Sequence, residues 1–233
     1  MCCECHDSST TCIHAVPIFS SLKGEEIGAL QEITHSCKYE KGDFIFREGE
    51  PSRSLFVVHE GLIKISKVSD EGKEQIIRLM FPGDFFGQAA LLENKTHYAY
   101  AEVLEPTNVC RIDRDDFIPF LESHPELTMR FMLALSERLS EVDEWMGALG
   151  LLEAESRIAK ALIMLQQRNG IDQIQFDLPL SKKDLASLIG TTPETLSRKL
   201  DQFKSRKILD LSGRKGIRIL NLTELKKMAG YSI

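Results

Sequence analysis

The sequence predicts an α+β fold: an N-terminal β-roll (a double-sheet jelly roll), one long dimerisation helix and a C-terminal winged helix-turn-helix. Three observations carry this. Short apolar runs punctuated by glycine turns fill residues 37–113, an apolar stripe at alternating spacings of three and four runs from Met132 to Leu149, and two short capped helices flank Gly190. Strands at that cadence suit a double-sheet β-roll. The 3–4 alternation suits a coiled-coil seam.

Four segments follow: 1–17 cysteine-rich, 18–124 β-roll, 125–150 dimerisation helix and 151–233 winged helix-turn-helix. The first is polar and is expected to be unstructured unless something ties it down. A short helix is predicted from Ser20 to about His35, with Ile27, Leu30 and Ile33 inward. Strands are then predicted at 44–46, 55–58, 62–65 and 75–80, separated by Lys41-Gly42-Asp43, Glu48-Gly49-Glu50, Glu60-Gly61, Asp70-Glu71-Gly72 and Pro82-Gly83-Asp84. Pro125 opens the long helix, whose seam is Met132, Leu135, Leu139, Val142, Met146 and Leu149. Packing on the helix's own domain would also give an apolar stripe, but the regular alternation favours a parallel dimer. Gly147 and Gly150 predict a hinge, and a further helix is expected over 153–167.

Residues 179–207 read as a helix-turn-helix. Ser181 is an N-cap with Asp184 three residues on, and Gly190 supplies the left-handed stop. Thr192 caps the second helix with Pro193 at its first position, where no amide hydrogen is needed. Leu196, Leu200 and Phe203 would pin it to its neighbour, leaving Glu194, Thr195, Ser197, Arg198 and Lys199 as the polar face. Residues 207–211 and 217–220 alternate like strands around a basic tip, the wing. Such a module binds DNA.

Charge distribution agrees. The chain of 233 residues carries a net −6, yet residues 181–233 hold 12 Lys+Arg against 5 Asp+Glu, so +7 sits there and −13 on the remainder. A basic module on an acidic body fits a nucleic-acid partner attached to a regulatory domain. No apolar run reaches 18 residues and no charged-then-apolar leader is present. A cytoplasmic protein without a membrane partner is the expectation.

Six cysteines stand at 2, 3, 5, 12, 37 and 110, four of them within the first twelve residues. Such clustering favours metal or redox chemistry over a structural disulfide framework in a cytoplasmic chain. Cys37 reads as a small buried apolar residue in the first strand, since free cysteine often packs that way. Of the six histidines, only His6 and His14 lie beside the cysteines and are candidates for ligation. Paired carboxylates, a Ser–His or His–Cys constellation and a phosphate-cradling glycine loop cannot be placed, so an enzyme is not expected.

The glycine rhythm of the roll, Pro82-Gly83-Asp84-Phe85-Phe86-Gly87, and Glu194-Thr195-Leu196-Ser197-Arg198 resemble the CRP/FNR superfamily of bacterial transcription regulators, from about Ile18 to Ala229. The resemblance implies a cyclic-nucleotide-binding-like roll, a homodimer, a double-stranded DNA partner and RNA polymerase as a further one. The cyclic-nucleotide branch places Gly-Glu after the Pro-Gly-Asp turn and Arg-Ser some ten residues later. Here Gln88 follows Gly87, and Tyr98-Ala99 falls at the Arg-Ser position. A cyclic phosphate would lack a counter-ion, so no cyclic nucleotide is expected.

The FNR branch carries Cys-x2-Cys-x5-Cys before the roll and a fourth cysteine late in it, holding a [4Fe–4S] cluster. Cys2-x2-Cys5 matches, Cys5-x6-Cys12 is one residue longer, and Cys110 stands at the distant position. The resemblance thus implies Cys2, Cys5, Cys12 and Cys110 as ligands, with Cys3 as substitute for Cys2. Thiolates suit such clusters. A zinc site, a thiol–disulfide switch joining Cys5 or Cys12 to Cys110, and a regulator answering an unidentified small effector all stay open here.

In the same resemblance Glu194 and Arg198 read base edges and Ser197 sits near a thymine, giving a palindrome like TTGAT-N4-ATCAA. Lys182, Lys183, Lys199, Arg214 and Lys215 are expected mainly at phosphates, with Thr195 beside them on the recognition helix. The wholly apolar seam predicts a dimer that persists without its signal. The competing class is a ligand-binding roll whose helix pair only packs.

Overall fold

In the computed structural model the described residues are 2–4 (backbone only), 19, 22, 24–89, 96–169, 174–213 and 215–231. The chain divides into two compact units, residues 1–73 with 77–140, and residues 141–233 with 74–76.

Among the described residues the first unit holds β1 (Cys2–Glu4), α1 (Glu25–Glu32), β2 (Thr34–Tyr39), β3 (Phe44–Phe46), β4 (Ser54–Val68), β5 (Glu74–Met80, shared with the second unit), β6 (Phe85–Phe86), β7 (Tyr100–Asp113) and α2 (Arg114–Ser123). The helix α3 (Pro125–Leu151) begins in it. The strand order is β1-β2-β7-β4-β5, with β3 on β7 and β6 on β4. β4 and β7 pair along nearly their whole lengths. Phe56, Val58 and Val109 from one half of this pair share a core with Ile63, Ile65, Ala101 and Val103 from the other, so the sheet closes on itself as a roll. A second core lies on the opposite face, where Leu55, Val57, Cys110 and Ile112 meet Leu30, Phe117, Leu127 and Phe131.

Three expectations change. The helix predicted from Ser20 to about His35 is observed only over Glu25–Glu32, and Thr34 already belongs to β2. Glu60-Gly61 is not a turn between two strands but an irregularity within the single 15-residue β4, whose register shifts there. Gly61 has φ +95, and a Cβ would lie 2.6 Å from the Pro106 carbonyl oxygen, so glycine lets β7 approach. Gly147 and Gly150 do not interrupt α3, which runs on to Leu151.

The second unit comprises the end of α3, α4 (Ala154–Asn169), β8 (Gln175–Asp177), α5 (Lys182–Leu188), α6 (Pro193–Ser205), β9 (Leu209–Ser212), β10 (Gly216–Ile219) and α7 (Leu222–Met228). Its sheet runs β8-β10-β9, with β8 a third strand that the alternation did not announce. Lys207, expected in the first wing strand, instead turns the chain at φ 56. Leu185, Ile189, Leu196, Leu200, Phe203 and Leu225 are fully buried and form its interior.

Candidate nucleic-acid interface and cysteine sensor

Local chemistry builds the helix pair. Ser181 Oγ accepts from the Asp184 amide at 3.1 Å and also contacts the Asp184 carboxylate. α5 ends in a Schellman arrangement: Thr191 N–H donates to Ala186 O at 2.9 Å and Gly190 N–H to Ser187 O at 3.3 Å, with Gly190 at φ +65. Thr192 Oγ1 accepts from the Thr195 amide at 3.2 Å, and Pro193 opens α6. Arg157, on α4, donates to Ile189 O at 2.8 Å, to Leu152 O at 2.7 Å and to Gly190 O at 3.2 Å. It therefore satisfies carbonyls just past the C-terminal ends of α5 and α3, where a cation is favoured. Sequence reading missed this arginine, because nothing local marks it.

The polar face of α6 is now resolved residue by residue. Glu194 and Arg198, one turn apart, are exposed, while Thr195 and Ser197 are half-buried. The Glu194 carboxylate is held below its ordinary range by its own backbone amide and then by the Thr192 hydroxyl, so it is anionic at the positive end of α6. Lys182, Lys183 and Lys215 are exposed, and Arg214 lies outside the described residues.

Lys199 makes an ion pair inside the module. Its Nζ is 3.0 Å from Glu155 Oε2 on α4, and its side chain is 24% exposed. Arg206 pairs with the other oxygen of Glu155 at 2.5 Å and with Glu224 at 3.4 Å. The Glu155 carboxyl is held down by the hydrogen bond from Lys199 first and by Arg206 as well, against the opposing effect of burial. Without DNA, Lys199 is thus held within the module by Glu155.

The seam residues divide in two. Met132, Leu139 and Met146 are 58%, 62% and 64% exposed, whereas Leu135, Val142 and Leu149 are half-buried. Leu135 packs against the outer core of the roll. One edge of the stripe therefore serves the chain's own packing and the other faces outward.

In the roll, Cys110 is buried, 6% exposed, in the core that holds Leu55 and Phe117. Cys5, Cys12, His6 and His14 lie outside the described residues, as do the side chains of Cys2 and Cys3. Among the described residues no three metal-binding side chains converge. Cys37 corrects the sequence reading: it is fully buried, as expected of a packing residue, but it is disulfide-bonded.

Phe46, Arg78, Met80, Phe86, His97 and Tyr98 border a cavity of about 30 Å³ inside the roll. That is room for a water or two. His97 stacks on Phe46 with centroids 3.6 Å apart, and burial pushes its imidazole down against the opposing pull of Glu50. Arg78 is a guanidinium that sequence reading did not place at this site.

Residues 36–124 match the family described as cyclic nucleotide-binding domain, and residues 156–228 match the Crp-like helix-turn-helix domain. The chain is 31% identical to a probable transcriptional regulator flp of Lacticaseibacillus casei, over 94% of this chain and 98% of that protein. It is also 31% identical to the fumarate and nitrate reduction regulatory protein of Vibrio cholerae, over 98% and 91% of the two chains. The chain belongs to the CRP/FNR family of transcription regulators. The structure of FixK2 from Bradyrhizobium japonicum, 26% identical, superposes with a TM-score of 0.78 over 86% of this chain and all of that one. Membership in the CRP/FNR family makes the helix-turn-helix, of which α6 is the second helix, a DNA-binding element. Among the described residues no helix is long and apolar enough to cross a membrane.

Proposed function

We propose that this DNA-binding regulator senses oxygen or redox state through its N-terminal cysteines and Cys110, and reads a TTGAT-N4-ATCAA-like palindrome as a cytoplasmic homodimer that engages RNA polymerase. The observation that carries the sensing is Cys110: a buried cysteine in the roll of a chain that keeps four more cysteines in its first twelve residues. Its apolar surroundings and soft donor fit a [4Fe–4S] cluster, for which Cys5, Cys12, Cys110 and either Cys2 or Cys3 would be ligands. Such a cluster supplies an oxygen-labile group whose loss changes the protein around it.

The outward row Met132, Leu139 and Met146 supports dimerisation through α3. On the DNA, Arg198 can fork onto guanine O6 and N7, and Glu194 can accept from a cytosine amino group. Lys182, Lys183, Arg214 and Lys215 supply phosphate contacts. A cyclic nucleotide is not the signal in this reading, because Gln88 and Tyr98 stand where the cyclic-nucleotide branch carries its glutamate and arginine. A regulator that switches by thiol–disulfide chemistry without a cluster is the second reading, favoured by the disulfide at Cys37.

The deciding experiment is anaerobic purification followed by an absorption spectrum and iron and sulfide counts. About four iron per chain, a broad thiolate–iron band and bleaching in air are expected. An iron-free protein that still binds the palindrome would leave only the second reading.

A further inference from the structure

The backbone register sorts the cysteines into neighbouring rows of the sheet. In one row Cys2 of β1 stands opposite Cys37 of β2, which stands opposite Val109 of β7. In the next row Cys3 stands opposite Ser36, which stands opposite Cys110. Successive residues of a strand serve opposite faces, and the two cores show this: Cys37 belongs to the interior of the roll, and Cys110 to the core under the helices. Cys37 and Cys110 are close in register but separated by the sheet itself. A bond between them would require unpairing β2 from β7.

Cys37 is disulfide-bonded, and the residue directly across the ladder from it is Cys2. Facing residues of an antiparallel pair have Cα atoms about 4.5 or 5.5 Å apart, inside the range a disulfide spans. We propose that Cys37 is a redox-active site of this protein, forming a disulfide with Cys2 that straps the N-terminal strand to the edge of the roll. It deepens the redox reading above but uses a thiol that reading leaves idle. The six cysteines then divide without remainder. Cys2 and Cys37 make the strap, and Cys3, Cys5, Cys12 and Cys110 remain as the four thiols a cubane needs. Cys3 becomes the ligand and not the spare.

The oxidant is a hydroperoxide. One thiolate attacks its O–O bond to give a sulfenic acid and water (or an alcohol), and the second thiol displaces the sulfenic oxygen as water, closing the S–S bond. Two thiols lose two electrons and two protons, and one peroxide is reduced. A dithiol reductant reverses the step by exchange.

The test uses the full chain, purified anaerobically, treated with hydrogen peroxide, alkylated under denaturing conditions and mapped by mass spectrometry without reduction. A linked Cys2–Cys37 peptide that disappears on dithiol treatment is expected. Cys37→Ala, or Cys37→Val if the smaller side chain impairs folding, should abolish it while leaving the iron and sulfide content unchanged. Cys2→Ala should keep its iron, and Cys3→Ala should lose most of it, as Cys110→Ala does. Full alkylation of Cys37 in the oxidised protein, a Cys37–Cys110 link, or loss of iron in Cys2→Ala would overturn the proposal. If no variant holds iron, the cluster reading fails, and the linked peptide still decides the strap.

Discussion

Arg138 and Asp84 tie the long helix to the Pro-Gly-Asp turn of the roll. Arg138 Nη1 lies 3.4 Å from Asp84 Oδ1, its Nη2 donates to Phe85 O at 2.7 Å, and its guanidinium sits 5.1 Å from the Phe85 ring. The other Asp84 oxygen accepts from the Phe81 amide at 2.9 Å, holding the turn closed. The two side chains are 12% and 10% exposed, so solvent screens them little. Arg138→Ala removes the cation beside a mostly buried carboxylate and should cost about 3–5 kcal/mol. Thermal melts followed by circular dichroism check this. A double change, Arg138→Met with Asp84→Asn, should recover part of the loss, because neither partner is then left charged.

Glu155 controls how much positive charge the module offers to DNA. Glu155→Gln weakens its hold on Lys199 and Arg206, and the slope of log affinity against log salt should steepen by about one per freed cation that reaches a phosphate. Lys182→Ala should flatten the slope by about one, whereas Lys199→Ala should leave it unchanged. Fluorescence anisotropy at four salt concentrations separates these. A flattening in Lys199→Ala equal to that in Lys182→Ala would mean that Lys199 leaves Glu155 when DNA binds.

Arg198→Ala should lose about 1–3 kcal/mol on the palindrome and accept any base at the guanine it reads. Competition with single-base variants of the site measures this. Uniform weakening across all variants would place Arg198 on a phosphate instead.

Acid should loosen the roll through His97. Its folded pKa lies below the ordinary 6.5, because burial disfavours the imidazolium. The stability tied to neutral His97 is therefore complete above 6.5 and declines as the pH falls from there toward the lower folded value. Melting temperatures measured from pH 7.5 to 5.5 should fall less in His97→Gln than in the parent. Equal declines would assign the effect to other groups.

Leu139→Glu places a charge on the outward row of the seam, at a position 62% exposed in the single chain. It should halve the sedimenting mass and leave the circular dichroism of the chain intact. Retention of a dimer would move the interface off α3.

The helix-turn-helix was legible because its determinants are local. Ser181, Gly190, Thr192 and Pro193 act within one turn of themselves, and each adopts the cap, stop or first-turn position read from the sequence. The β-roll was legible as a class from its strand cadence, but the extent of β4 was not. Whether Glu60-Gly61 bends into a turn or continues as a strand depends on Pro106 and Thr107 in β7, more than 40 residues away, and no local pattern encodes that approach.

By itself, the sequence determined the kinds of element, the basic character of the C-terminal module, the apolar stripe of the long helix and the supply of thiols, since these follow from residue chemistry and short spacings. Only the tertiary structure decided how particular side chains are used. Lys199 turns to Glu155 and not outward, Arg157 closes the helix-turn-helix from α4, and Cys37 and Cys110 fall on opposite faces of one sheet. Each of these outcomes depends on a partner distant in sequence, and it is folding that brings that partner to the charge, carbonyl or strand it meets.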